Sequence, residues 1–156
     1  MKDIMNFGIE EARRTMNENK GGPFGAVITD SEGNIISVAS NRVLELHDAT
    51  AHAEVMAIRE AGKILGTHDL SNCILYATGY PCPMCLSAII WANIKKVYYG
   101  NTKEDAADIG FRDDMIYKYL EDPENHKDVL ELEQMDREHT IQAFEEFKNK
   151  QDKTIY

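Results

Sequence analysis

The sequence predicts an α/β domain in which helices cover a sheet. In the middle of the chain two short strand-like runs alternate with two helix-forming segments, which is typical of α/β layering with parallel strand pairing. Two earlier runs are separated by turn-forming residues and predict a β-hairpin. The chain has 156 residues, of which 43% are hydrophobic and 28% charged, so we expect a single folded domain over residues 1–156.

The first third of the chain supplies one helix and the hairpin. Apolar residues recur at helical spacing over residues 3–19, and the Gly-Gly-Pro sequence at 21–23 ends that pattern. Residues 24–29 and 35–39 are apolar or β-branched and predict two strands. Residues 30–34, Asp-Ser-Glu-Gly-Asn, have the composition of the turn between them.

The central part continues with a helix over residues 51–65. Thr50 is a candidate N-cap and Gly66 a candidate stop for this helix. A buried strand, a helix and a second strand are then predicted, at 73–78, 83–91 and 96–99.

The last third predicts mainly helices. Residues 104–109 and 115–120 have helical composition, and Pro123 marks a loop. Residues 129–132 predict a final strand and residues 137–148 a terminal helix.

Charge and cysteine content exclude several classes of function. The 17 basic and 27 acidic residues give a formal net charge of −10, so we expect neither nucleic acid nor a membrane surface as a partner. The N-terminal sequence MKDIMNFGIEEARR fits no secretory signal, and no apolar run reaches membrane-spanning length. Three cysteines suit metal or catalytic chemistry better than a disulfide framework, which predicts a cytoplasmic protein.

Two predicted helix starts carry residues suited to binding one metal ion. His52 and Glu54 open one helix, and Pro83 suits the first position of another, so that Cys82 is its cap and Cys85 lies three residues on. Side chains lean toward a helix N-terminus, so an ion beyond both ends is within reach of the imidazole and both thiols. Glu54 would reach the same ion through a water molecule.

One imidazole and two thiolates are the ligand set of a catalytic zinc site whose fourth position is left to water. The two thiolates neutralise the ion's charge, so such a site needs an added base. Glu54 lies among Ala51, Ala53 and Met56, and desolvation there should raise its pKa toward the range useful for proton transfer.

Two other interpretations of these residues stay open. A closed structural zinc site would need a fourth ligand, for which the chain offers Cys73, His47, His68, His126 and His139. A redox-active cysteine pair would leave His52 and Glu54 without a role.

Several segments together resemble the cytidine/deoxycytidylate-type deaminase superfamily, and within it the guanine deaminases of bacteria. They are GGPFGAVI, Ser40-Asn41, DATAHAEVMAIR, PCPMCLSAIIWA and DAADIGFRDDMIY, and they include the H-x-E and P-C-x-x-C elements of zinc nucleobase deaminases. The resemblance implies a three-layer α/β/α sandwich with a mixed sheet of about five strands. It also implies one zinc ion per subunit on His52, Cys82 and Cys85, with Glu54 as the proton shuttle. The implied reaction is hydrolysis of guanine to xanthine and ammonia.

The same resemblance implies contacts to the base. Asn41 would form a hydrogen bond to it, Phe24 and Trp91 would line it, and Asp113 would assist departure of the amine. Simpler roles remain open, with Asn41 as a turn residue, the two aromatic residues as core, and Asp113 as a solvated carboxylate at a helix start.

The C-terminal segment 137–156 resembles tails that similar enzymes exchange between subunits, which predicts a homodimer with possible domain swapping. Ile141, Phe144 and Phe147 share one helical stripe, and Tyr156 is a candidate lid residue contacting the substrate. A disordered tail is the alternative.

Tyr80 departs from the family pattern, because many relatives have glutamate before the proline of the cysteine motif. Other amino-heterocycles therefore stay open as substrates, among them guanosine, cytosine and an aminotriazine. A tRNA adenosine deaminase would need a basic surface. The alternative outside enzymes is a zinc-stabilised binding module.

Overall fold

The computed structural model describes residues 3–156. Its strands are β1 (Gly25–Asp30), β2 (Ile35–Ser40), β3 (Cys73–Gly79) and β4 (Lys96–Asn101). Its helices are α1 (Ile4–Asn17), α2 (Val43–Leu46), α3 (Ala53–Leu65), α4 (Pro83–Trp91), α5 (Lys103–Asp108), α6 (Asp114–Glu121) and α7 (Arg137–Asn149). These residues form two compact units, one up to Asp113 and one over Asp114–Tyr156.

The first unit contains a mixed sheet in the order β2-β1-β3-β4. β1 pairs antiparallel with both β2 and β3, which confirms the hairpin, and β3 pairs parallel with β4. Helix α4 connects those two parallel strands, as the alternating pattern predicted. The mixed sheet is confirmed, but it has four strands and not five.

The prediction of a last strand at 129–132 is wrong. This segment is a turn followed by irregular chain, and Val129, Leu130 and Leu132 are 45%, 50% and 73% exposed. A strand needs a neighbour to satisfy its backbone groups, and within residues 3–156 no strand pairs with this segment. Apolar residues alone were therefore an insufficient signal for a strand.

Helices cover both faces of the sheet in the first unit. Ala26 and Ile28 of β1 belong to the buried cluster that includes residues of α3 and α4. Val27, the residue between them, faces α1, where Gly8 lies so close that an added Cβ would meet the Val27 side chain at 3.4 Å. The three-layer arrangement is therefore confirmed.

Helix α3 begins two residues later than predicted. His52 is its N-cap, because the Thr50 side chain bonds Asp48 Oδ1 at 2.7 Å and closes a local turn instead of capping the helix. The C-terminal prediction is confirmed, since Gly66 adopts the left-handed conformation with φ 67°. Helix α4 has the predicted bounds, with Pro83 at the start.

The second unit contains α6, a 3₁₀ turn at Pro123–Asn125 and α7. Helix α7 extends one residue beyond its predicted end. Several large apolar side chains of this unit are more than half exposed, namely Leu120, Leu132, Met135, Phe144, Ile155 and Tyr156. The unit therefore presents an unusual amount of uncovered apolar surface for its size.

Candidate metal centre and active site

The topology gathers the predicted site residues at one end of the sheet. Because β1 is antiparallel to its neighbours, the start of β1 lies beside the ends of β2 and β3. Phe24 and Asn41 are therefore neighbours, and the backbone N–H of Asn41 donates a hydrogen bond to the backbone carbonyl of Phe24 at 3.0 Å. Gly79 ends β3 at the same edge and leads directly into the cysteine motif.

Two helix N-termini converge on the candidate metal position. His52 is the N-cap of α3 and Cys82 the N-cap of α4, and neither side chain caps its own helix. Both side chains instead turn toward each other, and His52 Nδ1 lies 3.5 Å from Sγ of Cys82 and 3.5 Å from Sγ of Cys85. The three donor atoms all lie within 4.8 Å of one another.

These separations fit a zinc ion. With Zn–N and Zn–S bonds of about 2.05 and 2.3 Å, a tetrahedral site separates nitrogen from sulfur by about 3.6 Å. Both observed nitrogen–sulfur distances are 3.5 Å. The described residues contribute three donors to this cluster, and Cys73 is instead buried at the opposite end of β3. Three donors are the pattern of a catalytic zinc site and not of a closed structural one.

The pKa values of the two thiols are shifted in opposite directions. Hydrogen bonding from the Cys85 thiol lowers the pKa of Cys82 to about 4, and the same contact raises the pKa of Cys85. The hydrogen bond with Cys82 also raises the pKa of His52. The lowered pKa favours the thiolate form of Cys82, which is the form that binds metal, whereas Cys85 has to lose its proton when metal binds.

Glu54 has the environment predicted for a proton-transferring carboxylate. Its side chain lies in the first turn of α3 and the residue is only 7% exposed. Desolvation raises the pKa of Glu54, and a hydrogen bond with Cys85 partly opposes that rise. The carboxyl group therefore holds a proton at higher pH than an exposed glutamate does.

The side-chain amide of Asn41 is fixed so that its oxygen is occupied and its Nδ2 group remains available. Its Oδ1 accepts hydrogen bonds from the backbone amides of Gly22 at 3.3 Å and Val43 at 3.1 Å. Gly21 has to be glycine here, because an added Cβ would meet the Asn41 carbonyl oxygen at 2.1 Å. The Nδ2 group is thereby left to act as a donor toward a ligand.

Phe24, which precedes β1 at one end of the sheet, contacts the loop that carries Asp113. The ring packs beside Gly79, where an added Cβ would lie 3.5 Å from it, and meets the Phe111 ring edge-on at a centroid distance of 5.0 Å. Phe111 is two residues before Asp113, so this contact places the loop beside Phe24 at the start of β1. The sequence-based interpretation missed Phe111, although it lies within the quoted GFRDD segment.

Trp91 and Tyr156 are both largely exposed. Trp91 is the last residue of α4 and is 69% exposed, about 13 Å along the helix from the cap that holds Cys82. Tyr156 belongs to the second unit and is 83% exposed. Their predicted contacts with a base therefore stay predictions.

Tyr80, the departure from the family pattern, is part of an aromatic contact next to the cysteine motif. Its ring meets Tyr99 edge-on at 5.0 Å, and Lys103 Nζ lies 4.7 Å from its centroid. Its backbone amide donates to the Asn101 carbonyl at 2.8 Å, which continues the β3–β4 pairing. An aromatic ring beside a lysine side chain therefore stands where the resemblance predicts a carboxylate.

Comparison with known proteins assigns the family. A family model described as the cytidine and deoxycytidylate deaminase zinc-binding region matches residues 1–101, which include His52, Glu54, Cys82 and Cys85. The chain belongs to this deaminase family. It is accordingly a zinc-dependent aminohydrolase, which confirms the enzyme and cofactor predictions over that of a binding module.

Relatives in this family differ in how much of the chain they match. Guanine deaminase of Bacillus subtilis (strain 168) is 45% identical over 139 residues, which cover 88% of each chain. An X-ray structure of guanine deaminase from Bacillus subtilis superposes with a TM-score of 0.93 at 40% identity, covering 100% of this chain and 99% of that one. A tRNA-specific adenosine deaminase of Agrobacterium fabrum is 41% identical over 70% of this chain and 72% of its own.

Across residues 3–156, no helix combines the length and apolarity that crossing a membrane requires.

Proposed function

We propose that this deaminase hydrolyses guanine to xanthine and ammonia. The observation that carries the proposal is the His52, Cys82 and Cys85 cluster at two converging helix N-termini, with buried Glu54 two residues from His52. Similarity to guanine deaminase across both units, and to the tRNA deaminase over a smaller share, supports a free purine base as substrate.

Zinc bound by His52, Cys82 and Cys85 would supply a Lewis acid that lowers the pKa of a coordinated water molecule. Glu54 accepts a proton from the attacking water and delivers it to the ring nitrogen beside the amino-bearing carbon. Glu54 then takes the proton of the hydroxyl group added at that carbon and delivers it to the amine, so that the C–N bond breaks, the carbonyl of xanthine forms and ammonia leaves. The raised pKa of Glu54 suits both directions of transfer, because the group is then neither a strong acid nor permanently ionised.

Asn41 and Phe24 position the base. Since Asn41 Oδ1 is occupied by two backbone amides, Nδ2 donates to an acceptor on the ring. Guanine carries two such acceptors, N7 and O6, on one edge. The half-buried Phe24 ring lines the pocket beside that edge. Asp113 assists the departure by accepting a hydrogen bond from the amine while Glu54 protonates it.

The distribution of charge supports a small substrate over RNA. The formal net charge is −10, and most cations of the groove between α1 and α3 lie beside acidic side chains. Arg14 lies 2.6 Å from Glu11, and Arg42 lies 2.7 Å from Glu45. A phosphate backbone would meet few unpaired positive charges there.

We further propose a cytoplasmic homodimer in which residues 137–156 are exchanged between copies of one deaminase domain. The uncovered apolar side chains of α7 and the tail, including Phe144 and Tyr156, support a partner surface. Trp91, at the far end of α4 and 69% exposed, is a further apolar side chain that a partner copy would cover. The three free cysteines are compatible with a reducing compartment.

Ammonia release from a panel of guanine, guanosine, adenine, cytosine and an aminotriazine tests the substrate. We expect guanine turnover to exceed that of every other compound, and Glu54→Gln to lower kcat by about a thousandfold while zinc content is unchanged. Preferential turnover of another compound would overturn guanine as the substrate. Near-normal activity of Glu54→Gln would remove Glu54 from the mechanism.

Mixed dimers test the exchange. A Glu54→Gln chain and a Tyr156→Ala chain are each expected to have low activity, but a hybrid has one site with both wild-type residues if the tail crosses. Recovery of activity on mixing after dissociation supports exchange. Additive low activity, or a monomer in light scattering, would contradict it.

A further inference from the structure

Phe111 is an aromatic residue whose fixed position near the site has no role in the reaction described so far. It follows the end of α5, where the Phe111 amide donates to the Ala106 carbonyl at 3.0 Å and the Gly110 amide to the Ala107 carbonyl at 3.0 Å. These two bonds form a Schellman motif, with Gly110 at φ 100°. The backbone of Phe111 is thus held from the helix side.

The Phe111 ring is held on its other side by Phe24, which precedes β1 at one end of the sheet. It meets Phe24 at 90° with centroids 5.0 Å apart, an arrangement that attracts the edge of one ring to the face of the other. Gly22 leaves the space that both rings occupy, since an added Cβ would lie 3.0 Å from the Phe111 ring and 3.1 Å from the Phe24 ring. Phe111 remains 47% exposed, so general core packing does not explain its placement.

Phe24 in turn is fixed by the residues that build the site. Its backbone carbonyl accepts a hydrogen bond from the backbone N–H of Asn41. Its ring packs beside Gly79, at the start of the segment that leads to Cys82. A displacement of the Phe111 ring would therefore move the loop relative to the metal ligands. Asp113 lies on that loop, two residues beyond Phe111.

We propose that Phe111 is a positioning residue of the deaminase site, whose ring, packed against Phe24 beside Gly22, fixes the loop that carries Asp113. The inference rests on the proposed function, because it assigns the loop to the proton transfer at the departing amine. Phe111 acts through Asp113 and Phe24 and does not itself need to contact the base.

A double-mutant cycle tests the proposal on the zinc-loaded full chain, with whichever base the wild type deaminates fastest. We expect Phe111→Ala to lower kcat by about tenfold or more with a smaller change in KM, because misplacing a reacting group by about 1 Å costs up to a hundredfold. Phe111→Leu should restore most of that loss. Ile109→Ala, which removes a 58% exposed apolar side chain two residues earlier, is the matched control and should leave kcat unchanged.

The decisive comparison is made in the Asp113→Asn background. There Phe111→Ala should lower kcat by less than about twofold, because the group that it positions is already lost. Equal effects of Phe111→Ala in both backgrounds, or wild-type kcat for Phe111→Ala, would overturn the proposal. Phe111→Val, which shortens the side chain without removing it, should show the same dependence on Asp113 with a smaller effect and serves if Phe111→Ala does not fold.

The two proposals fail in different ways in this assay. If the wild type releases ammonia from another base and not from guanine, the proposed substrate is wrong while the cycle remains measurable. If guanine is deaminated and Phe111→Ala is unaffected, only the positioning role is lost.

Discussion

Replacement of Gly21 by alanine would act directly on the residue predicted to hold the base. The added Cβ would lie 2.1 Å from the Asn41 carbonyl oxygen and 2.4 Å from its Oδ1. An ordinary carbon–oxygen contact is about 3.3 Å, so the two segments have to separate by about 1 Å. That shift breaks the hydrogen bonds from Gly22 and Val43 to Oδ1.

The expected cost has two components. Overpacking costs about 1–3 kcal/mol, and each of the two lost hydrogen bonds about 0.5–1.5 kcal/mol, so we expect Gly21→Ala to lower the free energy of unfolding by roughly 2–6 kcal/mol. A base-binding group displaced by about 1 Å should lower kcat/KM by about a hundredfold. Urea unfolding and steady-state ammonia release measure the two effects on the same preparation.

Gly8→Ala is the matched control. Gly8 is also buried, but the atoms nearest its added Cβ lie at 3.4 to 3.5 Å, which is ordinary contact. As an interior helix position it should change the free energy of unfolding by less than about 1 kcal/mol and leave kcat/KM intact. Equal stability and activity of the two variants would refute the idea that close packing against Gly21 fixes Asn41.

Three further predictions concern the metal, the base and the hairpin. Cys82→Ala should reduce zinc to near zero per chain by elemental analysis, whereas Cys73→Ala should retain zinc and lose only about 1 kcal/mol of stability; retained zinc in the first would remove Cys82 as a ligand. Asn41→Asp keeps an oxygen for the two backbone amides but replaces the Nδ2 donor. We therefore expect kcat/KM to fall by about ten- to a hundredfold, while circular dichroism shows that the fold is retained. An unchanged kcat/KM would exclude the donor role of Nδ2. Hydrogen bonds from Asn34 lower the pKa of Asp30, so its stabilising effect is complete above the unfolded value near 3.9 and is lost as the pH falls through the lower folded value; an NMR titration of Asp30 should show that lowered pKa, and a normal one would contradict it.

The parts of the fold that the sequence predicted well are those set by local chemistry. Helix α4 has its predicted bounds because Pro83 suits a first helical turn and an apolar run follows it. Gly66 ends α3 because the left-handed conformation there suits glycine. The start of α3 was misplaced because Asp48 and Thr50 form a competing local turn.

Features set by distant neighbours were harder to predict. The strand expected at 129–132 contains apolar residues but has no partner strand in the described chain. Whether a segment pairs with another strand cannot be read from its local sequence. The cluster of His52, Cys82 and Cys85 could be predicted because side chains at the start of a helix lean toward its N-terminus. The Phe24–Phe111 contact joins residues far apart in sequence, and only the spatial arrangement shows it.

X-ray absorption of the zinc-loaded protein tests the metal centre most directly. One imidazole and two thiolates predict two sulfur atoms at about 2.3 Å and two nitrogen or oxygen atoms at about 2.0–2.1 Å, one of the latter being exchangeable solvent. A first shell with three or more sulfur atoms would mean that Cys73 has joined the site. Four protein donors without solvent would contradict a hydrolytic centre.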